Sequence, residues 1–336
     1  MPTTTKNSNL TAARRAKNDE FYTQWNDIEK EVMAYVGYDP DVFRGKTILL
    51  PCDDPEWSNF TKFFALRFDT LGLRKLIATS YNKDGGHGRV AILTHDITGD
   101  GRTNLDDLEW EHLTGDGDFR SPEVTALRDR ADIIITNPPF SLFREFLPWI
   151  TEADKQFLII GNINAITYKE IFPLIKNNEI WTGVTGFNQD MLFTTPGPVD
   201  TASLPDSAYR IVEGIAYRRA AAIWFTNIDH GRRHEPLALM NTADNLRCNP
   251  ALTGKTAYDR YDNYDAIEVP KTKAIPSDHR GIMGVPISFL DKYCPEQFEI
   301  IGLDSTDPDE WVGHGPLLNG RAKYRRIFIK YRNTAR

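Results

Sequence analysis

The chain lacks the features that mark a secreted, membrane-spanning or metal-centred protein. Its three cysteines, Cys52, Cys248 and Cys294, lie far apart with no Cys-x-x-Cys spacing, which argues against a disulfide framework or a structural zinc site and for a reduced, cytoplasmic protein. No metal site is expected. No apolar run approaches the roughly 18 residues of a membrane span. The polar start, Met1-Pro-Thr-Thr-Thr-Lys-Asn-Ser8, has no apolar core of a secretory signal. Internal repeats and low-complexity segments are missing too. A net basic charge is likewise absent: 40 Lys+Arg stand against 47 Asp+Glu, a balance of -7.

What is present is enough apolar material for a large fold. The 336 residues are 40% hydrophobic, with 18 Phe, 13 Tyr and 7 Trp, so disorder is excluded and one large α/β domain plus a smaller one is the natural size. The charge is unevenly placed. Residues 201–336 hold 19 Lys+Arg against 17 Asp+Glu. Arg321, Lys323, Arg325 and Arg326 head a C-terminal stretch with no acid. An acidic first half and a basic-leaning second half are compatible with nucleic acid binding. Arg232 and Arg233, near the start of the second part, join those four as candidate DNA contacts. Residues 1–16 read as a mobile arm, whose Arg14-Arg15 pair can touch phosphate.

The most telling stretch is Ala131-Asp-Ile-Ile-Ile-Thr-Asn-Pro-Pro-Phe140. Residues 132–136 have the β-branched composition of a buried strand, and 142–150 read as the next helix. Asn137, Pro138, Pro139 and Phe140 therefore fall at the C-terminal end of a strand, where α/β sheets bind ligands. Asn137 supplies a carbonyl acceptor that does not ionise. The prolines stiffen the turn, so that the Asn137 and Pro138 carbonyls can be aimed outward. Phe140 offers a flat apolar face. The set suits an exocyclic amino group on a planar ring, and resembles the Asn/Asp-Pro-Pro-aromatic motif of methyltransferases that use S-adenosylmethionine.

Other segments suit a cofactor. Lys17-Asn-Asp-Glu-Phe-Tyr-Thr-Gln24 offers an acid, two aromatics and a hydroxyl able to bracket an amino-acid tail. Residues 46–51 read as the first core strand, running into Cys52-Asp-Asp-Pro55. Asp53 and Asp54 can accept hydrogen bonds from an ammonium or a ribose hydroxyl there, with Pro55 fixing the turn in place of the missing glycines. Ser58 or Asn59 caps the following helix. The second strand, 73–82, ends in hydroxyls instead of the ribose-binding acid common at that point. Asp118 and Phe119, at a later crossover, suit an adenine: the acid for its amino group and the ring for its face. Residues 217–226 read as the last core strand, and from His230 the texture becomes that of a smaller, irregular, tyrosine-rich domain.

Asp96, Asp100, Gly101, Asn104 and Asp107 fall on positions of a calcium loop. Thr98 at the third position and Asp at the twelfth are poor ligands, so an acidic surface hairpin is expected instead.

As a whole the chain resembles the EcoRI-type adenine-specific DNA methyltransferases. The matches are collinear: Lys17 to Gln24, Cys52-Asp-Asp-Pro55 with Ser58-Asn-Phe60, Gly115 to Ser121, Thr136-Asn-Pro-Pro-Phe-Ser-Leu-Phe-Arg-Glu145 and Gly284-Val-Pro-Ile-Ser-Phe-Leu-Asp-Lys-Tyr293. The resemblance implies a Rossmann-like S-adenosylmethionine-dependent catalytic domain over 17–228 and a target-recognition region over 229–336. It implies methyl transfer to N6 of an adenine in double-stranded DNA, by a monomer, with a cognate restriction endonuclease acting separately. The cofactor pocket would take Lys17, Glu20, Phe21, Tyr22, Thr23, Cys52, Asp53, Asp54, Pro55, Asn59, Phe60, Asp118 and Phe119, and Asn137 to Phe140 would hold the adenine. An RNA or protein-glutamine amino-group methyltransferase, or a catalytically silent DNA-binding protein of the same fold, is an alternative at this point.

Overall fold

The computed structural model describes residues 22–82, 86–195, 197–304 and 315–332. It forms two compact units, one built from the chain up to 165 with 183–229, the other from 166–182 with 230 onward. The second unit thus includes a segment, 166–182, that the sequence order groups with the first.

The first unit is organised on a mixed sheet. Its strands are β1 (Thr47–Leu50), β2 (Lys75–Ser80), β3 (Arg89–Leu93), β4 (Glu109–His112), β5 (Ile133–Thr136), β6 (Gln156–Asn162) and β7 (Ala222–Thr226), in the spatial order β4-β3-β2-β1-β5-β6-β7. The four central strands β2, β1, β5 and β6 are parallel, while β3, β4 and β7 add antiparallel edges. Every residue of β1 and β5 is buried, which is why Thr-Ile-Leu-Leu and Ile-Ile-Ile-Thr show no polar alternation: both faces are covered. The chain winds from β1 outward to β2 and returns to β5 on the other side. The reversal lies between β1 and β5, the point at which open α/β sheets bind ligands at the strands' carboxyl ends.

Helix α1 (Trp25–Tyr38) buries Ile28, Val32 and Tyr35 along one stripe, and α2 (Asn59–Leu66) buries Phe60, Phe63 and Phe64. Both feed one aromatic-rich core with Trp224 of β7. Ser58 caps α2 by accepting from the Phe60 N–H at 3.0 Å. Ser121 does the same for α3 (Pro122–Arg130), accepting from Val124 N–H at 3.2 Å. The fully buried Glu31 on α1 accepts the N–H groups of Val184 and Thr185, each at 2.7 Å. It pins the turn that leads into the segment described next.

That segment belongs to a separate four-stranded antiparallel sheet, in the order Tyr22–Thr23, Met191–Thr194, Ile215–Ala220, Tyr209–Val212. The expected single strand over 217–226 is therefore two. Residues 215–220 pair with 191–194 and 209–212, and after Ala221 the chain changes sheet to run antiparallel to β6 as β7.

The acidic loop 96–107 is held by its own backbone. Asp96 accepts from the Gly99 and Gly101 N–H groups at 2.6 and 2.7 Å. Asp107 accepts from Ile97, Thr98 and Asn104 N–H at 2.9–3.0 Å. These donors hold both carboxyls below their usual range. The calcium-like spacing is thus that of side chains that build the loop.

The second unit carries a four-stranded sheet, Ala266–Glu268, Ile282–Pro286, Arg326–Tyr331 and Phe298–Leu303 in that order. Tyr261 and Tyr264 pack on Phe328, with ring centroids 5.7 and 4.7 Å apart, and Tyr258 is also buried. The interleaved tyrosines are core residues more than an exposed reading surface. Gly284 is a place where only glycine fits, because a Cβ there would collide with the Tyr261 ring.

Candidate active site

The site is assembled at the carboxyl ends of β1, β2 and β5. β1 runs into Pro51-Cys-Asp-Asp-Pro55, and β5 into Asn137-Pro-Pro-Phe140, one strand away. The two turns are joined by Asp53. Its carboxylate, almost fully buried, accepts the Ser58 hydroxyl at 2.8 Å, the Thr136 hydroxyl, and the backbone N–H of Asn137. Burial opposes ionisation more than these donors favour it, and the carboxyl is pushed up to about 7. One side chain thus ties the helix cap, the end of β5 and the first residue of the proline turn together. In this structure the Asp53 oxygens serve these three protein donors, a structural role beside the ligand role expected from the sequence.

Asp54 is also engaged. The Arg89 guanidinium lies 3.2 Å from its carboxylate and 3.1 Å from that of Glu56, over the Trp110 ring at 5.4 Å. Asp54 stays partly accessible at 27%. The Cys52 thiol is raised by burial and by the neighbouring Asp53 carboxylate, and lies within electrostatic reach of Asp118. Pro55 is buried beneath this turn.

At the end of β2, Thr79 donates to the Pro51 carbonyl at 3.1 Å, and Asn82 N–H to the Asp116 carbonyl at 2.7 Å. Gly117, with φ +86°, lies so close to the Ser80 carbonyl that no Cβ could be placed there. The 115–118 segment is thereby drawn onto the sheet edge beside Cys52. Asp118 is held by the Arg120 guanidinium at 2.6 and 2.9 Å, which lowers its carboxyl below the usual range. Arg120 in turn reaches Glu145 at 2.6 Å.

Two expected cofactor rings are core residues. Phe119 is buried edge-on to Phe146 and Trp149 of α4 (Phe143–Thr151), at 4.9 and 5.4 Å. Phe60 packs against Trp224 at 5.9 Å. Neither offers a free face for an adenine. Asn59, by contrast, reaches into the site region, donating to the Thr23 carbonyl at 2.7 Å. Thr23 pairs in register with Phe193. The half-buried Phe140 meets Phe193 edge-on at 6.4 Å. The Pro139 carbonyl closes the turn by accepting Leu142 N–H at 2.9 Å. Tyr22, Thr23, Asn59 and Phe140 are thus linked through the side sheet. Lys17, Glu20 and Phe21, with Arg14 and Arg15, lie outside the described residues.

The candidate DNA contacts divide sharply. Arg326 is not a surface cation: it donates to the buried Glu268 at 2.7 and 3.1 Å, beside the Tyr261 hydroxyl. Arg233 is buried, stacked 3.6 Å over the Trp181 ring and bonded to Asn178. Arg232 pairs with Asp291 at 2.9 Å. Arg321, Lys323 and Arg325 are exposed, flanking Tyr324 at 89% exposure. Sequence reasoning missed Ser58, Thr136, Arg89 and Arg120 as supports of the site. Thr136 sits inside the motif, but nothing in its spacing says that its hydroxyl turns to Asp53.

Comparison with known proteins decides the family. The profile described as "Adenine-specific methyltransferase EcoRI" matches residues 9–332. The chain belongs to the EcoRI-type adenine-specific methyltransferase family. It is similar to the type II methyltransferase M.EcoRI of Escherichia coli, 42% identical with 96% of each chain covered. It is also similar to M.MpnI of Mycoplasma pneumoniae, at 36% identity over 96% of this chain and 98% of the relative. M.MgeORF184P of Mycoplasma genitalium is 35% identical over 95% and 97%. No solved structure matches the chain. As a member of this family the protein is an adenine-specific DNA methyltransferase. Among its described residues no helix is long and apolar enough to cross a membrane.

Proposed function

We propose that the protein transfers the methyl group of S-adenosylmethionine to N6 of an adenine extruded from duplex DNA, as the modification enzyme of a type II restriction-modification system. The observation that carries this reading is the anchoring of Asn137-Pro-Pro-Phe140 at the sheet's reversal point by the buried Asp53. The first unit is read as the Rossmann-like catalytic domain. The second is read as target recognition, with the exposed Arg321, Lys323 and Arg325 against phosphate. The protein acts as a monomer on DNA, and any cognate endonuclease is a separate chain.

The residues at the strand ends fit the cofactor's chemistry. Asp54 and Asp118, each paired with an arginine, keep partly accessible carboxylate oxygens at this edge, acceptors suited to the ammonium and hydroxyls of such a ligand. Cys52 follows β1 and Ser80 ends β2, which bring small polar groups to the same strand ends, and Asn59 holds the Thr23 carbonyl beside them. The close backbone approach at Gly117, where no Cβ fits against the Ser80 carbonyl, sets the position of Asp118 beside that edge. S-adenosylmethionine supplies an already activated methyl group, so the protein's task is alignment and electrostatics.

Adenine N6 is a poor nucleophile because its lone pair is delocalised into the ring. Asn137 Oδ1 and the Pro138 carbonyl accept its two hydrogens, drawing the nitrogen toward tetrahedral geometry and localising the lone pair. Phe140 stacks on the base and offsets part of the few kcal/mol that extrusion costs. Sequencing of DNA from cells that express the chain tests this directly. N6-methyladenine at one short motif is expected, and its loss with Asn137→Ala. Unmodified DNA under active wild-type expression would overturn the proposal.

A further inference from the structure

The side sheet of the first unit ends in a β-hairpin that the chemistry above does not use. Tyr209–Val212 and Ile215–Ala220 pair antiparallel, Val212 opposite Ile215. The two-residue turn is Glu213-Gly214, with φ of 50° and 80°, which is the left-handed pair that keeps a hairpin's natural twist. Its tip is apolar and open to solvent: Ile211 is 60% exposed, Ile215 56% and Val212 39%. A single exposed isoleucine needs no explanation, whereas three β-branched side chains at one tip, Ile211 on one face and Val212 with Ile215 on the other, make the tip an apolar wedge.

Behind that tip the ribbon is cationic. Arg210 and Arg219 share one carboxylate, Asp190, at 3.4 and 2.8 Å, so two guanidinium groups face a single acid. Arg218 pairs in register with Phe193, the residue that meets Phe140. Opposed residues of an antiparallel pair share a face, and so do residues two apart. Ile211, opposite Ala216, therefore continues the face on which Phe193 meets the base-binding ring. It lies two residues farther along, about 7 Å, and two strands across, about 10 Å, at the spacings of an antiparallel sheet.

We propose that the hairpin Tyr209–Ala220 is a two-stranded ribbon that enters the major groove of the substrate duplex beside the target. There its arginines lie toward phosphate, and Ile211 and Ile215, on the two faces of the tip, wedge at the base step that the extruded adenine leaves. The major groove, about 12 Å wide and 8.5 Å deep, accepts such a ribbon. The negative duplex complements the arginine stem, and the base edges and thymine methyls give the apolar tip an apolar partner. The inference rests on the DNA-methylating reading and adds the element that holds the extruded state.

The test uses the full-length protein and a duplex carrying the adenine that wild-type expression methylates in cellular DNA. The variant is Ile211→Ser with Ile215→Ser; both side chains are exposed, so the fold should be kept. On the fully paired duplex, kcat/KM should fall tenfold or more, and 2-aminopurine at the target should lose its emission rise. Placing the adenine opposite an abasic site, where extrusion costs less, should restore kcat/KM to within about threefold of wild type. Equal activity of variant and wild type on the paired duplex overturns the proposal. So does an equal loss on both duplexes, or a change in the protein's mass in solution that tracks the activity loss, which would make the tip a contact between copies. An inactive wild type would count against the function itself, whereas the variant measured relative to it reports on the hairpin.

Discussion

Replacing Asp53 by asparagine should change how the protein's stability depends on pH. In the folded chain the carboxyl is pushed from 3.8 up to about 7, chiefly by burial. Between those values the folded state keeps a proton that the unfolded chain releases. The contribution of this carboxyl to stability is therefore greatest below about pH 4, is lost as pH rises, and levels off above about 7. The rise corresponds to about 4 kcal/mol that ionisation takes from the folded state. A side-chain amide at this position would not titrate, so this decline should vanish. The amide has only one acceptor oxygen, however, and three donors face it: the Ser58 and Thr136 hydroxyls and the Asn137 N–H. Leaving one of them without a partner costs about 1–3 kcal/mol. The variant should be less stable than wild type near pH 4 and equal or more stable near pH 8. For a unit of about 200 residues, roughly 2–4 °C in Tm corresponds to each kcal/mol, so calorimetry at four pH values resolves the crossing. Because the lost bonds position Thr136 and Asn137, kcat should drop while KM for DNA stays near wild type. Parallel Tm curves for the two proteins would refute the reasoning.

Three further outcomes follow from the geometry. Asn137→Ala should abolish methyl transfer while S-adenosylmethionine binding, read by calorimetric titration, stays within a few-fold. Arg326→Ala should destabilise the second unit by about 3–5 kcal/mol, because it strands the buried Glu268. It should leave the salt dependence of DNA binding unchanged, whereas Arg321→Glu with Arg325→Glu should lower that slope by about two. Phe119→Ala should lower the melting temperature through a core cavity costing about 3–5 kcal/mol. An adenine-stacking role would instead appear as a loss of cofactor affinity at unchanged stability.

Where a residue's type dictated its environment, the chain was legible. Ile133-Ile-Ile-Thr136 had to be a strand covered on both faces, and Asn137-Pro-Pro-Phe140 had to leave it as a stiff turn. The cap at Ser58 follows from short-range chemistry and was equally readable. Side-chain direction was not. Asp53 and Asp54 are neighbours of identical type, yet one is buried under three donors and the other pairs with Arg89 on a distant strand. Arg325 and Arg326 are likewise adjacent, one at the surface and one locked to Glu268. Alternation along a strand decides such cases, and it depends on register, which sequence distance does not encode. The split of 215–226 into two sheets was hidden for the same reason: a continuous apolar run does not announce a change of partner.

The proline turn is held from two directions. Asn137 is tied to the central sheet through Asp53, while Phe140 rests on Phe193, which belongs to the side sheet. Damage to one support need not reach the other. Substitutions around Met191–Thr194 would loosen the grip on the base and leave the amino-group geometry intact, giving enzymes that methylate unpaired adenines better than paired ones. Substitutions around Asp53 would do the reverse, yielding proteins that seize the base and fail to modify it. A collection of random mutants should therefore sort into two classes of defect, and a chain carrying one of each should show the losses multiplied.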